Sequence, residues 1–326
     1  MPSLGARLDW VNIALMVVAC AAAVLAPFHV FLFSYAILGP LHYLTEVSWL
    51  HDRNFFTTRA GSRKAWLFLV GVTAIVMAIG YVSSELLNRP VAPAVEIGMF
   101  LLVFVAANVA LHVRHPVNAL AVVALAVAGL FFFSGYSGYG IVAYLLVTIV
   151  HVFVFTGAFI LAGAMKSRSR IGYLSLAVFL ASAATALFIA APAQLPGERV
   201  RAVYATFEQL NMLLLHGAGV PAGSVYAPAG LGVMRFIAFA YTYHYLNWFS
   251  KTSIIRWHAV SRGRGLAIAV TWAAGVALYL YSYRAGFAVF YVLSVVHVML
   301  EFPLNHQTFV SLVRASLPNV RVRAVS

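Results

Sequence analysis

Long runs of apolar residues alternate with short polar segments along the whole chain. Each run is about 20 residues long, which is the length that an α-helix needs to cross a bilayer. The runs lack the period of two that a membrane β-barrel would show. The pattern predicts an all-α fold: a polytopic integral membrane helix bundle that forms a single transmembrane domain over residues 1–326. We place about ten spans, at roughly 10–26, 28–50, 65–87, 92–112, 117–135, 139–165, 171–192, 229–250, 265–283 and 286–312.

Two segments of this pattern need a separate interpretation. The longest interruption, roughly residues 193–228, is an outer loop in which Val203, Phe207 and Leu210 recur at helical spacing with Glu208 opposite them. This spacing predicts an amphipathic helix on the outer membrane interface, with His216 as an interfacial side chain rather than a ligand. The first span has some features of a cleaved signal peptide, and we favour a retained helix over cleavage of residues 1–26.

Composition and charge support a membrane protein. Apolar residues make up 63% of the chain and charged residues only 9%, whereas a soluble domain has about 25% charged residues. Sixteen of the 21 Lys and Arg residues fall in segments that alternate spans place on one side. The positive-inside rule therefore predicts cytoplasmic N- and C-termini in a bacterial inner membrane. The net charge of +13 then reflects topology and attraction to anionic lipid at the cytoplasmic face, and no nucleic-acid partner is expected.

A polar motif occurs twice inside the apolar runs, near the two ends of the chain. His42, Glu46 and His51 are spaced as His-x3-Glu-x4-His, and the second copy runs from His297 through Glu301 to His306. Residues i and i+4 share a helix face, so each first histidine points the same way as its glutamate. Ionisable groups are costly inside a bilayer, so they indicate function. Two such pairs that meet in a bundle would make a metal site, although a structural network of ion pairs is the rival interpretation.

The other intramembrane histidines fall only in even-numbered spans, which predicts a ring of even helices around a polar centre. His151 lies in span 6, where a hydrogen bond between helices is an equally good explanation, and His244 lies in span 8. Pro40 lies two residues before His42 and Pro303 two residues after Glu301, and both predict kinks that suit a cavity wall. The predicted metal ligands are His42, Glu46, His151, His244, His297 and Glu301. The predicted supporting or cytoplasmic-mouth residues are His51, His112, His115, Asn247 and His306.

Imidazole and carboxylate donors with no thiolate set the expected chemistry. The single cysteine, Cys20, lies in the first apolar run and belongs to no metal-binding motif. The donors predict one or two iron ions in a non-haem site that activates oxygen, with copper, zinc or haem as alternatives. Because little of the protein lies outside the bilayer, the expected substrate is an apolar membrane lipid or isoprenoid. These features predict an oxygenase, desaturase or hydroxylase with an unidentified redox partner.

Three other classes of protein fit the same residues. A proton or metal-ion transporter would line its pathway with these His and Glu side chains. A bis-His haem protein would pass electrons between two histidines on facing helices. A structural subunit of a larger complex would need no chemistry from them.

The segment Gly39-Pro40-Leu41-His42 with Glu46, together with the surroundings of His244, resembles the bacterial Brp/Blh-type carotene dioxygenases. That resemblance implies a membrane non-haem iron enzyme that cleaves β-carotene to retinal. The chain lacks the family's usual Gly-x-Pro-His-Gly order, so the resemblance leaves the substrate open.

Overall fold

A computed structural model describes residues 4–53, 146–190, 192, 195–217 and 225–316. Within these ranges all regular secondary structure is helical, as the apolar pattern predicts. The predicted spans at 65–87, 92–112 and 117–135, with His112 and His115, lie outside the described residues. In the described part, six helices are long and apolar enough to cross a membrane, so the count of ten spans and the orientation of the termini stay predictions. The six are Gly5–Leu25, Pro27–Asp52, Thr148–Ser167, Arg170–Phe188, Arg262–Tyr281 and Tyr283–Glu301.

The described helices fall into three parts of the chain. The N-terminal part contains α1 (Leu4–Leu25), α2 (Pro27–Phe33), a π-helical stretch (Ser34–Leu38) and α3 (Gly39–Arg53). The middle part contains a second π-helical stretch (Leu146–Phe155), α4 (Thr156–Ser167), α5 (Arg170–Phe188), α6 (Glu198–Tyr204), a 3₁₀ turn (Ala205–Phe207) and α7 (Glu208–Gly217). The C-terminal part contains α8 (Pro228–Ser250), α9 (Thr252–Ile255), α10 (Arg262–Tyr281) and α11 (Tyr283–Ser316).

The chain divides into two compact units. Unit 1 comprises Met1–Thr45 and Val152–Phe290, and unit 2 comprises Glu46–His151 and Tyr291–Ser326. The boundaries fall inside α3, the second π-helical stretch and α11. The prediction of a single transmembrane domain stays a prediction.

Helix α8 is the centre of unit 1, where it packs against α1, α2, α5 and α7. Sixteen of its residues are buried, and they include polar side chains such as Arg235, Thr242 and Asn247. A helix that is surrounded by protein can carry polar groups that a lipid-facing helix cannot, because neighbouring helices satisfy their hydrogen bonds. This explains why α8, although it occupies the predicted span at 229–250, is not among the six helices selected by apolar composition.

Arg235 joins the ends of two helices in unit 1. Its Nε donates to the carbonyl oxygen of Val24 at 3.2 Å, and its Nη1 donates to the carbonyl oxygen of Ile189 at 2.8 Å. These carbonyls lie at the C-terminal ends of α1 and α5, where helix carbonyls have no intrahelical partner and the helix dipole favours a cation. The buried charge of Arg235 therefore has a structural role.

The segment predicted to contain an amphipathic helix folds as α6, the 3₁₀ turn and α7. Its apolar side chains Tyr204 and Phe207 are buried in an aromatic cluster with Phe28 and Phe31. The ring centroids of Phe31 and Phe207 are 4.9 Å apart in an edge-to-face arrangement, which is favourable for aromatic pairs. The predicted apolar face thus contacts other helices of unit 1, His216 is exposed as expected, and the place of the segment at the outer interface stays a prediction.

In unit 2, the C-terminal half of α3 and helix α11 carry an apolar cluster. Leu50, Val296 and Leu300 are buried in this cluster, and Val47 and Val292 pack against it. The spacing of Val296 and Leu300 is four residues, so both lie on the same face of α11. The neighbouring residues His297 and Glu301 therefore also share a face of that helix.

Candidate metal centre

His42 and His244 point at each other in unit 1. His42 lies on α3 and His244 on α8, and the relative exposure of the two is 1% and 8%. Their Nε2 atoms are 3.1 Å apart, and the two ring planes are inclined at 81°. Nothing in either helix segment alone predicts this approach, because it depends on how α3 and α8 pack.

The distance between the two Nε2 atoms suits a pair of metal ligands. Imidazole nitrogens bind a first-row metal at about 2.1 Å, so two such ligands at a right angle are about 3 Å apart. The observed 3.1 Å also suits a hydrogen bond between two neutral rings, one donating and one accepting. Either arrangement satisfies both nitrogens inside an apolar bundle, and metal analysis distinguishes the two.

Thr156 holds the other side of the His244 ring. Its Oγ1 is 2.9 Å from His244 Nδ1, and both groups are buried. A ligand histidine usually has its second nitrogen bonded to an oxygen, which fixes the tautomer and the ring orientation. Thr156 is the first residue of α4, directly after the π-helical stretch. The sequence alone does not indicate this residue, because a lone threonine in an apolar run has no local pattern that marks it as functional.

An irregular helix positions His42. The π-helical stretch Ser34–Leu38 ends immediately before Gly39, whose backbone N–H bonds the carbonyl of Ser34 five residues earlier. Pro40 follows and has no N–H to donate, which makes a regular helical bond impossible there. Single π-helical turns are frequent at functional positions. At the kink predicted near Pro40, the structure thus has a π-helical stretch, which comes directly before the helix that carries His42.

Tyrosine and tryptophan side chains surround His42 in unit 1. The hydroxyls of Tyr43 and Tyr245 are 2.7 Å apart, and the Tyr245 ring centroid is 5.2 Å from that of His42. A Cβ at Gly39 would lie 3.0 Å from the Tyr43 hydroxyl, so a glycine leaves the room that this tyrosine pair needs. Trp248 donates from Nε1 to Thr45 Oγ1 at 3.0 Å.

Asn247 and Trp248, which follow His244 on α8, both take part in hydrogen bonds with other side chains. Trp248 stands four residues after His244, where the two motifs have a glutamate, and its Nε1 donates to Thr45 Oγ1 on α3. Asn247 is buried beside Tyr243, whose single hydroxyl proton has two acceptors in reach, Asn12 Oδ1 at 3.2 Å and Asn247 Oδ1 at 3.5 Å. Thr156 on α4 supplies a hydrogen bond to His244 Nδ1, and the supporting role of Asn247 stays a prediction.

Unit 2 contains a second group of buried ligand-type side chains. His151, His297 and Glu301 have relative exposures of 2%, 2% and 4%. His151 Nδ1 is 3.1 Å from Glu301 Oε2, and the ring centroids of His151 and His297 are 5.1 Å apart. Glu46 is also buried, and its charge interacts with that of Glu301. The structure therefore brings His151, an uncertain ligand in the sequence, next to the His297/Glu301 pair.

Ligand-type histidines differ clearly from the others in burial. Three buried histidines, His42 and His244 in unit 1 and His297 in unit 2, each offer a ring nitrogen that could bind a metal ion. His51 is exposed and contacts Asp52 at 3.2 Å, which is consistent with a place at the mouth rather than with a ligand. The backbone of His306 lies on α11, and its side chain is outside the described part of the structure.

No protein-family model, curated protein or solved structure matches this chain. The resemblance to the Brp/Blh-type dioxygenases therefore stays a prediction, and the function must be argued from the site itself.

Proposed function

We propose that this protein is a metal-dependent membrane oxidoreductase that uses non-haem iron to oxygenate, desaturate or hydroxylate an apolar lipid or isoprenoid. The observation that carries the proposal is the approach of His42 Nε2 to His244 Nε2, with Thr156 on the far side of the His244 ring. A ligand pair with a hydrogen-bonded outer partner is the usual construction of a protein metal site.

The donor set favours iron over softer metals. The buried groups are imidazoles and carboxylates, and iron sites that activate oxygen use this combination. The only thiol of the chain, Cys20, contacts the carbonyl oxygen of Ser182 within unit 1, between α1 and α5. Cys20 therefore belongs to helix packing rather than to the ligand set. Iron bound to the His and Glu side chains would supply oxygen activation.

The protein side chains would contribute orientation and exclusion of water. Thr156 holds His244 in one ring orientation, and Trp248 ties α8 to α3 through Thr45. Aromatic rings pack directly on His42, with Tyr245 at 5.2 Å and Trp248 at 5.5 Å between ring centroids. A closed, apolar setting of this kind limits side reactions with water.

The exposed apolar side chains and the burial of the ligand-type residues together indicate the class of substrate. Large apolar side chains of α1 and α10, such as Val18, Leu266 and Leu280, are mostly exposed, as expected for helices that face lipid. The ligand-type residues are buried in the helical interior, so a substrate soluble in the bilayer has the most direct access. A long apolar molecule such as an isoprenoid fits both facts.

Metal analysis of the purified, chelator-washed protein after reloading with ferrous iron tests the proposal. We expect bound iron in the wild-type protein and a lower iron content in His42→Ala and His297→Ala. The exposed His258 provides a matched control, and His258→Ala should bind as much iron as the wild type. Absence of iron from all samples would refute the metalloenzyme, and a haem spectrum would replace it with an electron-transfer protein.

A further inference from the structure

We propose that unit 2 binds a metal ion of its own through His151, His297 and Glu301, so that the protein holds two ions. This inference rests on the proposed function, because it assumes that the buried imidazoles and carboxylates are metal ligands.

The three side chains form a complete ligand set within unit 2. His297 and Glu301 are four residues apart on α11 and share a face of that helix. His151 approaches from the second π-helical stretch, with Nδ1 at 3.1 Å from Glu301 Oε2 and its ring at 5.1 Å from that of His297. Two histidines and one carboxylate with remaining open positions is the ligand set that non-haem ferrous iron takes.

Two buried carboxyl groups lie in unit 2. Glu46 and Glu301 are 2% and 4% exposed. A buried carboxylate needs a compensating positive charge or stays protonated. A divalent ion held by Glu301 and the two imidazoles would supply such a charge.

A purely structural ion pair would also join His151 to Glu301. Such a pair requires a protonated His151, whose ring would then have no lone pair for a metal. His297 is buried beside His151, with its ring centroid 5.1 Å from that of His151. The metal interpretation uses all three side chains, and the two interpretations predict different iron contents.

The test is the number of iron ions per chain in the purified full-length protein, reloaded with ferrous iron without oxygen and measured by elemental analysis. We expect two ions in the wild type, one in Glu301→Gln, one in His42→Ala and none in the double variant. Glutamine keeps the size of Glu301, and His151→Gln provides a second variant that should also hold one ion. The exposed His51 supplies the control, since His51→Ala should keep both ions.

The outcomes separate this inference from the proposed function. A wild type with a single ion that is lost in both Glu301→Gln and His42→Ala would mean one metal only, so the inference fails while the metalloenzyme survives. Two ions retained in both Glu301→Gln and His151→Gln would also overturn the inference. A wild type that binds no iron would remove the proposed function itself.

Discussion

Replacing Thr156 by valine removes one hydroxyl next to a predicted ligand and changes little else. Valine has nearly the same shape as threonine and the same branched Cβ, so it fits the first turn of α4. The loss is the contact between Thr156 Oγ1 and His244 Nδ1, which is 2.9 Å long and buried. His244 Nδ1 would then face an apolar group.

The expected effect follows from that contact. A buried polar group that loses a hydrogen-bond partner costs about 1–3 kcal/mol. Outer partners of ligand histidines contribute about 10- to 100-fold to metal affinity. Because about 1.4 kcal/mol corresponds to a factor of ten, the two estimates agree. We therefore expect Thr156→Val to weaken iron binding by about 10- to 100-fold, and Thr156→Ser, which keeps the hydroxyl, to stay within about threefold of the wild type.

The assay is a competitive titration of the iron-loaded protein with a chelator of known affinity. Thr308 supplies a matched control, since its hydroxyl bonds the carbonyl of Leu304 one helical turn earlier and contacts no ligand. Thr308→Val should therefore bind iron as the wild type does. Equal iron affinity in Thr156→Val and the wild type, or an equally large loss in Thr156→Ser, would contradict the role of the hydroxyl.

Three further predictions concern stability in detergent solution. A Cβ at Gly232 would collide with the carbonyl oxygen of Leu187, so Gly232→Ala should destabilise the α5–α8 contact by about 1–3 kcal/mol in a denaturation curve. Arg168 has φ 50°, in the left-handed region, so Arg168→Gly should raise the unfolding free energy by about 1 kcal/mol, and a decrease would contradict this account. Burial lowers the pKa of Lys251 to about 8, with Asp9 acting in the opposite direction. Between about pH 8 and 10.4, Lys251 is therefore protonated in the unfolded chain and neutral in the folded protein. The free energy of unfolding should rise with pH over this range in the wild type relative to Lys251→Met.

Much of the described fold follows from local pattern. The predicted spans at 10–26, 28–50 and 171–192 correspond to helices. A long apolar segment forms a helix in a bilayer because the helix satisfies its backbone hydrogen bonds within the segment. The two π-helical stretches were not predicted, since their wider turns depend on how neighbouring helices pack and have no composition of their own. The central position of α8 was not predicted either, because hydropathy does not show which helix is enclosed by protein.

Only part of the candidate site follows from the local sequence pattern. The pairing of His297 with Glu301 on one helix face follows from their spacing alone. The approach of His151 to Glu301 and of His42 to His244 joins residues that are far apart in sequence, so it needs the tertiary structure. Thr156 could not be found from the sequence, because one hydroxyl in an apolar run is more often a helix-packing group.

X-ray absorption at the iron edge tests the central claim most directly, because it reports the atoms bound to the metal in the purified protein. The account predicts iron with nitrogen and oxygen neighbours at about 2.1 Å and the outer scattering of imidazole rings, reduced in His42→Ala. Iron bound to sulfur or in a porphyrin, or a protein that binds no iron after reloading, would contradict the account.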